Sequence, residues 1–206
     1  MDENPLTTEN AASIVARAKG IVMAPKDEWP KIASEGKSPT QILVQYAIPL
    51  ALIGPVCTLI GSQLFGYGAM GISFRPSVGM ALGTAISSFV VSILSLFIVS
   101  YIANFLAPKF GGKEGFGNAF RLVAYAMTAA WLVGIFSIVP MLGILGILGL
   151  YSIYLLYTGA APIMGVPKEQ AGGYTAVTII IAIVVNVVLG MVTVGLVGGS
   201  TMAFYG

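Results

Sequence analysis

The side chains able to do chemistry in this sequence are hydroxyls, one amide and a row of phenols, all set inside apolar runs. Thr84, Ser88, Ser92 and Ser95 follow at spacings of four, four and three, which places them on one helical face. Such a stripe either hydrogen-bonds across to a neighbouring helix or lines a polar groove for a neutral solute. Asn186 is the one amide deep in the last apolar run, and an amide in hydrocarbon seeks a partner, as glue between helices or as a solute contact. Tyr151, Tyr154 and Tyr157 repeat every three residues on one face, either anchoring at a membrane surface or forming a contact stripe. Gly79 and Gly83, in GMALG, form a small-xxx-small pair of the kind that lets helix backbones approach. A second such pair is Gly195 and Gly199, and Gly143, Gly146 and Gly149 recur every three residues.

The missing residue types narrow the chemistry further. The chain has no histidine and a single cysteine, Cys57, so it lacks the commonest metal ligand and general base, and no intrachain disulfide can form. No ionisable residue lies deep within an apolar run, whereas ion-coupled pumps and proton relays generally need one there. P-loop, HExxH and GxSxG patterns are absent. The expectation is a protein without catalytic residues, cofactor or metal. Its net charge of +2 is too small to argue for nucleic acid.

The elements that must position these groups follow from composition. Of 206 residues, 57% are hydrophobic and 9% charged, against about 25% charged in soluble domains. That much apolar surface calls for lipid as solvent, and a chain crossing lipid must be helical or a closed barrel. Charge-free windows run over 38–74, 76–108, 122–167 and 170–206. The third holds 46 residues, enough for two crossings at about 20 each, with Pro140 near the middle as a return. The spacing predicts an all-α bundle with five transmembrane helices at about 40–65, 77–106, 120–139, 141–164 and 172–197. Pro49 and Pro55 should kink or break the first.

Basic residues orient the bundle. Arg17, Lys19, Lys26, Lys31, Lys37, Lys109, Lys113, Arg121 and Lys168 fall on one side of a five-span arrangement, and Arg75 alone on the other. Basic loops stay in the cytoplasm, so the amino terminus is expected inside and the carboxyl terminus outside.

Residues 1–38 hold six of the eight acids and five of the ten bases and read as a polar segment preceding a membrane domain over 39–206. Met1–Asn10 has no apolar periodicity and is expected to be disordered. Its acidic start does not resemble a secretory signal. In Ala12–Met23, Ile14, Val15, Ala18, Ile21 and Val22 share one face. This short amphipathic helix either lies in the membrane interface or packs on the ends of the bundle. Pro25, Asp27 and Glu28 suit the start of a second helix, and Trp29 suits an aromatic belt. Trp29, Lys31, Lys109, Lys113, Arg121 and Lys168 are expected to face partners or lipid.

Three stretches carry a family resemblance: MAPKDEWPKIASE before the first span, AFRLVAYAMTAAWLVGIF, and YSIYLLYTGAAPIMGVPKEQAGGYTAV. Over about residues 15–200 the chain resembles the YIP family of Ypt/Rab-interacting membrane proteins, most of all its bacterial branch. The resemblance implies five membrane helices with a cytoplasmic amino terminus, here in a bacterial inner membrane. In eukaryotic members it implies small-GTPase binding and vesicle traffic. Their DLYGP motif is absent, YAIPLALIGPV at 46–56 being the nearest text, and GY pairs occur at Gly66–Tyr67 and Gly173–Tyr174, so a small-GTPase partner is implied by the family resemblance alone. The reading is an adaptor or membrane-organising protein that contacts the bilayer, other membrane or cytoplasmic proteins, and a second copy through Gly79 and Gly83. The alternative is a small transporter, channel or lipid-handling protein for a neutral or lipidic solute, which would show a polar cavity joining Ser88, Ser92 and Asn186.

Overall fold

A computed structural model describes residues 8–69 and 72–203. It is a bundle of helices, five of them long and apolar enough to cross a membrane: Pro39–Leu64, Val78–Phe110, Phe116–Ile138, Met141–Met164 and Lys168–Val192. Ahead of them α1 (Thr8–Met23) and α2 (Pro25–Ser34) form a helical hairpin. Helix therefore begins within the stretch expected to be disordered, whose residues 1–7 lie outside the described residues. Pro25 opens α2, where its missing N–H is not needed, and Asp27 and Glu28 complement the positive end of the helix.

The first span is broken where its prolines require it. Ser38 and Gln41 close a reciprocal capping box, Ser38 Oγ accepting from the Gln41 N–H at 3.2 Å and Gln41 Oε1 from the Ser38 N–H at 3.0 Å. One turn of α3 (Pro39–Ile42) leads into a π-helical turn over Leu43–Ala47, then α4 (Ile48–Ala51) and α5 (Ile53–Leu64). Pro49 cannot donate to Gln45, and the wide turn just before it absorbs the fault. Pro55 does the same near the start of α5.

A two-stranded antiparallel ribbon, β1 (Tyr67–Ala69) and β2 (Ile72–Phe74), caps the end of α5. It is a feature of the connection and leaves the bundle all-helical in its spans. Ser77 then caps α6 (Val78–Leu106), its Oγ accepting from the Met80 N–H at 3.3 Å.

The long charge-free window folds as the expected hairpin, returning at Val139, whose backbone is extended. Its ascending arm is α7 (Phe116–Ala126), α8 (Thr128–Val133) and a 3₁₀ turn over Gly134–Ile138. The descending arm differs from a plain α-helix: Pro140–Leu150 is 3₁₀, and α9 (Tyr151–Met164) continues from it. The reason is the LGILGILGL repeat. Glycine every third residue matches a helix of three residues per turn, stacking Gly143, Gly146 and Gly149 in one row. Gly149 lies against Ala130 and Val133, while Gly143 and Gly146 face open space. Gly165, at φ +67°, ends α9 in the left-handed conformation, and α10 (Lys168–Ala203) follows.

Close backbone approach occurs at glycines other than the GMALG pair. A Cβ at Gly61 would stand 2.3 Å from the Ile138 carbonyl oxygen, and one at Gly134 would stand 2.7 Å from Gly54 Cα. Gly54 and Gly61, seven apart, thus seat α5 on the Gly134–Ile138 turn. Gly79 and Gly83 meet nothing within 4 Å. Their expected helix-packing role is corrected: among the described residues no helix covers that face of α6. The surroundings of Gly195 and Gly199 lie outside the described residues.

Candidate functional site

The amino-terminal hairpin is seated in the bundle. Ile21, Trp29 and Ile32 are fully buried and belong to the same apolar cluster as Phe120, Leu122 and Leu155. Of the α1 stripe, Ala18 and Ile21 are buried, Ile14 and Val22 half-buried, and Val15 stays exposed. Trp29 is 0% exposed, and its Nε1 donates to Thr158 Oγ1 at 3.1 Å. The indole fits because residue 159 is glycine: a Cβ there would meet Trp29 Cε2 and Cζ2 at 2.7 Å and Leu122 Cδ1 at 2.5 Å. Burying an indole contributes both its large apolar area and a satisfied N–H. The expectation that Trp29 faces partners or lipid is therefore corrected, because the slot over Gly159 takes it inward.

Charges lock α1 to α2 and to the loop behind it. Arg17 pairs with both Glu28 and Glu35, Lys31 with Glu28 at 3.1 Å, and Lys37 with Glu35 at 3.4 Å. Gly20 gives Glu28 room, since a Cβ there would lie 2.7 Å from its carboxyl carbon. Arg121 is also corrected from an outward to an inward residue. It is 8% exposed, and its Nη2 donates to the Lys37 carbonyl at 2.9 Å. Its Nε has no hydrogen-bond partner among the described residues, and no carboxylate pairs with it there. Lys37, at the rim, has its ammonium held below the usual lysine range, first by burial and then by the Arg17 charge.

The remaining lysines are exposed and share one end of the molecule. The loop after α6 packs on the loop after α9: the Lys113 N–H donates to the Met164 carbonyl at 2.8 Å, and Gly111 lies against Pro167. Lys113 and Lys168 project from these loops, with Glu114 and Glu169 beside them. Lys109 Nζ sits 4.2 Å over the Phe105 ring, and Lys31 points outward from α2. Arg75 lies beyond the ribbon at the other end, its Nη2 donating to the Leu64 carbonyl at 3.2 Å.

The polar stripe of α6 divides into separate joints. Ser88 is exposed and bonds its own helix at Ala85. Ser92 accepts from Trp131 Nε1 at 3.1 Å, tying α6 to α8. Asn186 donates to Ser95 Oγ at 2.9 Å, tying α10 to α6. The cavity that Ser95 and Asn186 line with Ser152 holds about 50 Å³, and neither Ser88 nor Ser92 reaches it. Tyr151 donates to the Val22 carbonyl at 3.0 Å, so it clasps α1, while Tyr154 and Tyr157 stand exposed.

Comparison with known families gives one result: the Yip1 domain matches residues 19–190. The chain belongs to the Yip1 domain family. Its five apolar helices make it an integral membrane protein. The Yip1 match starts inside α1 and ends near the end of the fifth span, so it takes in the Trp29 seat, the first four spans and nearly all of the fifth. Neither the curated proteins nor the solved structures yielded a match to this Yip1 chain.

Several residues of the Yip1 hairpin seat had no counterpart in the reading from sequence. Thr158 and Gly159 sit within a run where hydroxyls and glycines are common, and nothing local marks them as receiving an indole. Tyr46 and Thr128 form a buried hydroxyl pair at 2.7 Å, joining the first span to α8. The alternating charges of Arg17, Glu28, Lys31, Glu35 and Lys37 were a visible signal, because oppositely charged residues spaced for two short helices can pair only if the helices fold back.

Proposed function

We propose that this Yip1 protein is a non-enzymatic membrane adaptor or organising factor. The reading is carried by one observation. Lys109, Lys113 and Lys168 lie in or beside two adjoining loops at one end of the bundle and make no ion pair among the described residues. A cluster of cations at a membrane edge attracts anionic lipid headgroups and acidic partner surfaces. In the proposed orientation this end faces the cytoplasm of a bacterial cell. The α1–α2 hairpin then acts as a fixed part of the platform. Self-association through the open Gly79/Gly83 face of α6 belongs to the same proposal.

A photo-reactive residue at position 113 tests the reading in native membranes against the same residue at position 75. Defined protein adducts from 113, lost when Lys109 and Lys168 become serine, are expected. Equal adducts from both ends, or lipid adducts alone, would sink the adaptor. A transport reading gains no support from the interior, since the polar residues that would line a path are spent on separate helix joints.

A further inference from the structure

Between α1, the loop before α3, the first span and α7 lies a cavity of about 80 Å³. Its polar lining includes Ser13, Arg17, Lys37, Gln45, Tyr46 and Tyr125. No carboxylate lines it. Glu28 and Glu35 hold Arg17 and Lys37 from outside, each carboxylate oxygen already facing a cation. Arg121, one turn before Tyr125 on α7, adds a buried charge that bonds the Lys37 carbonyl. Arg17 and Lys37 line the pocket and are paired with Glu28 and Glu35, so the surplus charge beside it is that of Arg121, which has no carboxylate partner among the described residues. The Tyr125 side chain is 2% exposed overall, yet its hydroxyl keeps some accessible surface and bonds no other described residue. Tyr46, by contrast, is satisfied: Thr128 gives its hydroxyl proton to the Tyr125 carbonyl and so accepts from Tyr46.

A phenol hydroxyl without a protein partner is a donor free to bind whatever enters the space beside it. A cavity lined by two cations and no carboxylate, with the buried Arg121 charge beside it, asks for an acceptor with charge, and several donors converging from different elements ask for more than one acceptor oxygen. We propose that this cavity is a binding site for one phosphate-class oxyanion, with Arg17 and Lys37 as counter-charges and Gln45 and Tyr125 as neutral donors. The volume exceeds the ~30 Å³ share of a single water.

The same phosphate chemistry can come from a free anion or from a phospholipid, and a neighbouring feature bears on the choice. Ile14 also lines an apolar groove of about 510 Å³ between α1 and the first span, walled by Val15, Val22, Pro49, Ile53 and Leu132. Along the first span Gln41, Gln45, Pro49 and Ile53 succeed one another every four residues, polar at the cavity and apolar at the groove. A headgroup in the cavity would therefore have apolar space beside it for a chain.

The test uses the full chain in detergent and follows acylation of Lys37 by mass spectrometry, its side chain being 43% exposed and open to reagent. Inorganic phosphate and dihexanoyl phosphatidic acid are titrated against sodium chloride of equal ionic strength. Phosphate is expected to slow Lys37 acylation by about tenfold at saturation, with Lys113 unaffected, and Tyr125→Phe should weaken the effect by about tenfold. Protection by the lipid at lower concentration than phosphate assigns the headgroup as the source. Protection by phosphate alone keeps the oxyanion site and assigns the free anion. Protection no greater than that of chloride, or none from either probe, overturns the proposal. Gln45→Leu, which leaves every ion pair in place, gives a second variant expected to weaken protection.

Discussion

Trp29 Nε1 and Thr158 Oγ1 meet at 3.1 Å across 129 positions of sequence. This bond joins a polar segment, on its face a detachable tether, to the middle of a membrane helix. The hydroxyl also bonds back to the Tyr154 carbonyl at 3.0 Å, so the acceptor is held before the indole arrives. The joint makes the amino-terminal hairpin part of the bundle's core.

Filling the indole's slot should dislodge the hairpin. Gly159→Val places carbon within 2.7 Å of two indole atoms, and overpacking of this kind costs about 1–3 kcal/mol. The expected result is a lower unfolding temperature in detergent together with rapid proteolysis after Lys31. Trp29→Ala should cost more, about 3–5 kcal/mol. Unchanged proteolysis in both variants would contradict the seat described above.

Lys37 should titrate below an ordinary lysine. Burial first, and the Arg17 charge second, hold its ammonium below the usual 10.5. Because the folded value lies below the unfolded one, the native state releases this proton first. The group's favourable contribution is present above 10.5 and is lost as pH falls through the lowered folded value. The reactivity of Lys37 toward acylation should therefore rise at lower pH than that of a free lysine side chain. The alkaline gain in stability should vanish in Lys37→Met.

Asn186→Leu should loosen α10 from α6 only slightly. Interhelical hydrogen bonds in membranes average about 0.6 kcal/mol, so the melting shift should be small and additive with Trp131→Phe, whose bond to Ser92 is a separate joint. A large synergistic loss would mean that the two joints form one network.

The proposed orientation is open to a direct check. In a Cys57→Ser background, cysteine at position 113 should react with a membrane-impermeant maleimide only from the cytoplasmic side, and cysteine at 75 only from the other. The reverse pattern would invert the bundle.

The five helices were legible in the sequence because lipid demands long charge-free runs, and such runs need no knowledge of neighbours. The breaks near Pro49 and Pro55 were legible for the same reason: a missing N–H is a local fault. Packing was less so. GMALG has the spacing associated with close helix contact, yet Gly79 and Gly83 face open space, while Gly54, Gly61, Gly134 and Gly159 bring elements together. Which glycine is covered depends on what the fold brings opposite, and that information is nonlocal. Trp29 and Arg121 were misread for a related reason. Each has a polar tip that suits a membrane surface, but each finds its partner inside, at Thr158 and at the Lys37 carbonyl.

The 3₁₀ arm from Pro140 to Leu150 has a mechanical consequence. Its eleven residues rise about 2.0 Å each, against 1.5 Å in an α-helix. The arm therefore stretches about 22 Å where α-helix would reach about 16 Å. As α-helix the arm would be shorter by about 5.5 Å, and its side chains would turn away from the α8 surface on which Gly149 packs. Bilayers of different compartments differ in thickness by a comparable few ångströms. The glycine row thus sets the reach of this arm across the slab of lipid, longer than the same eleven residues would give as α-helix.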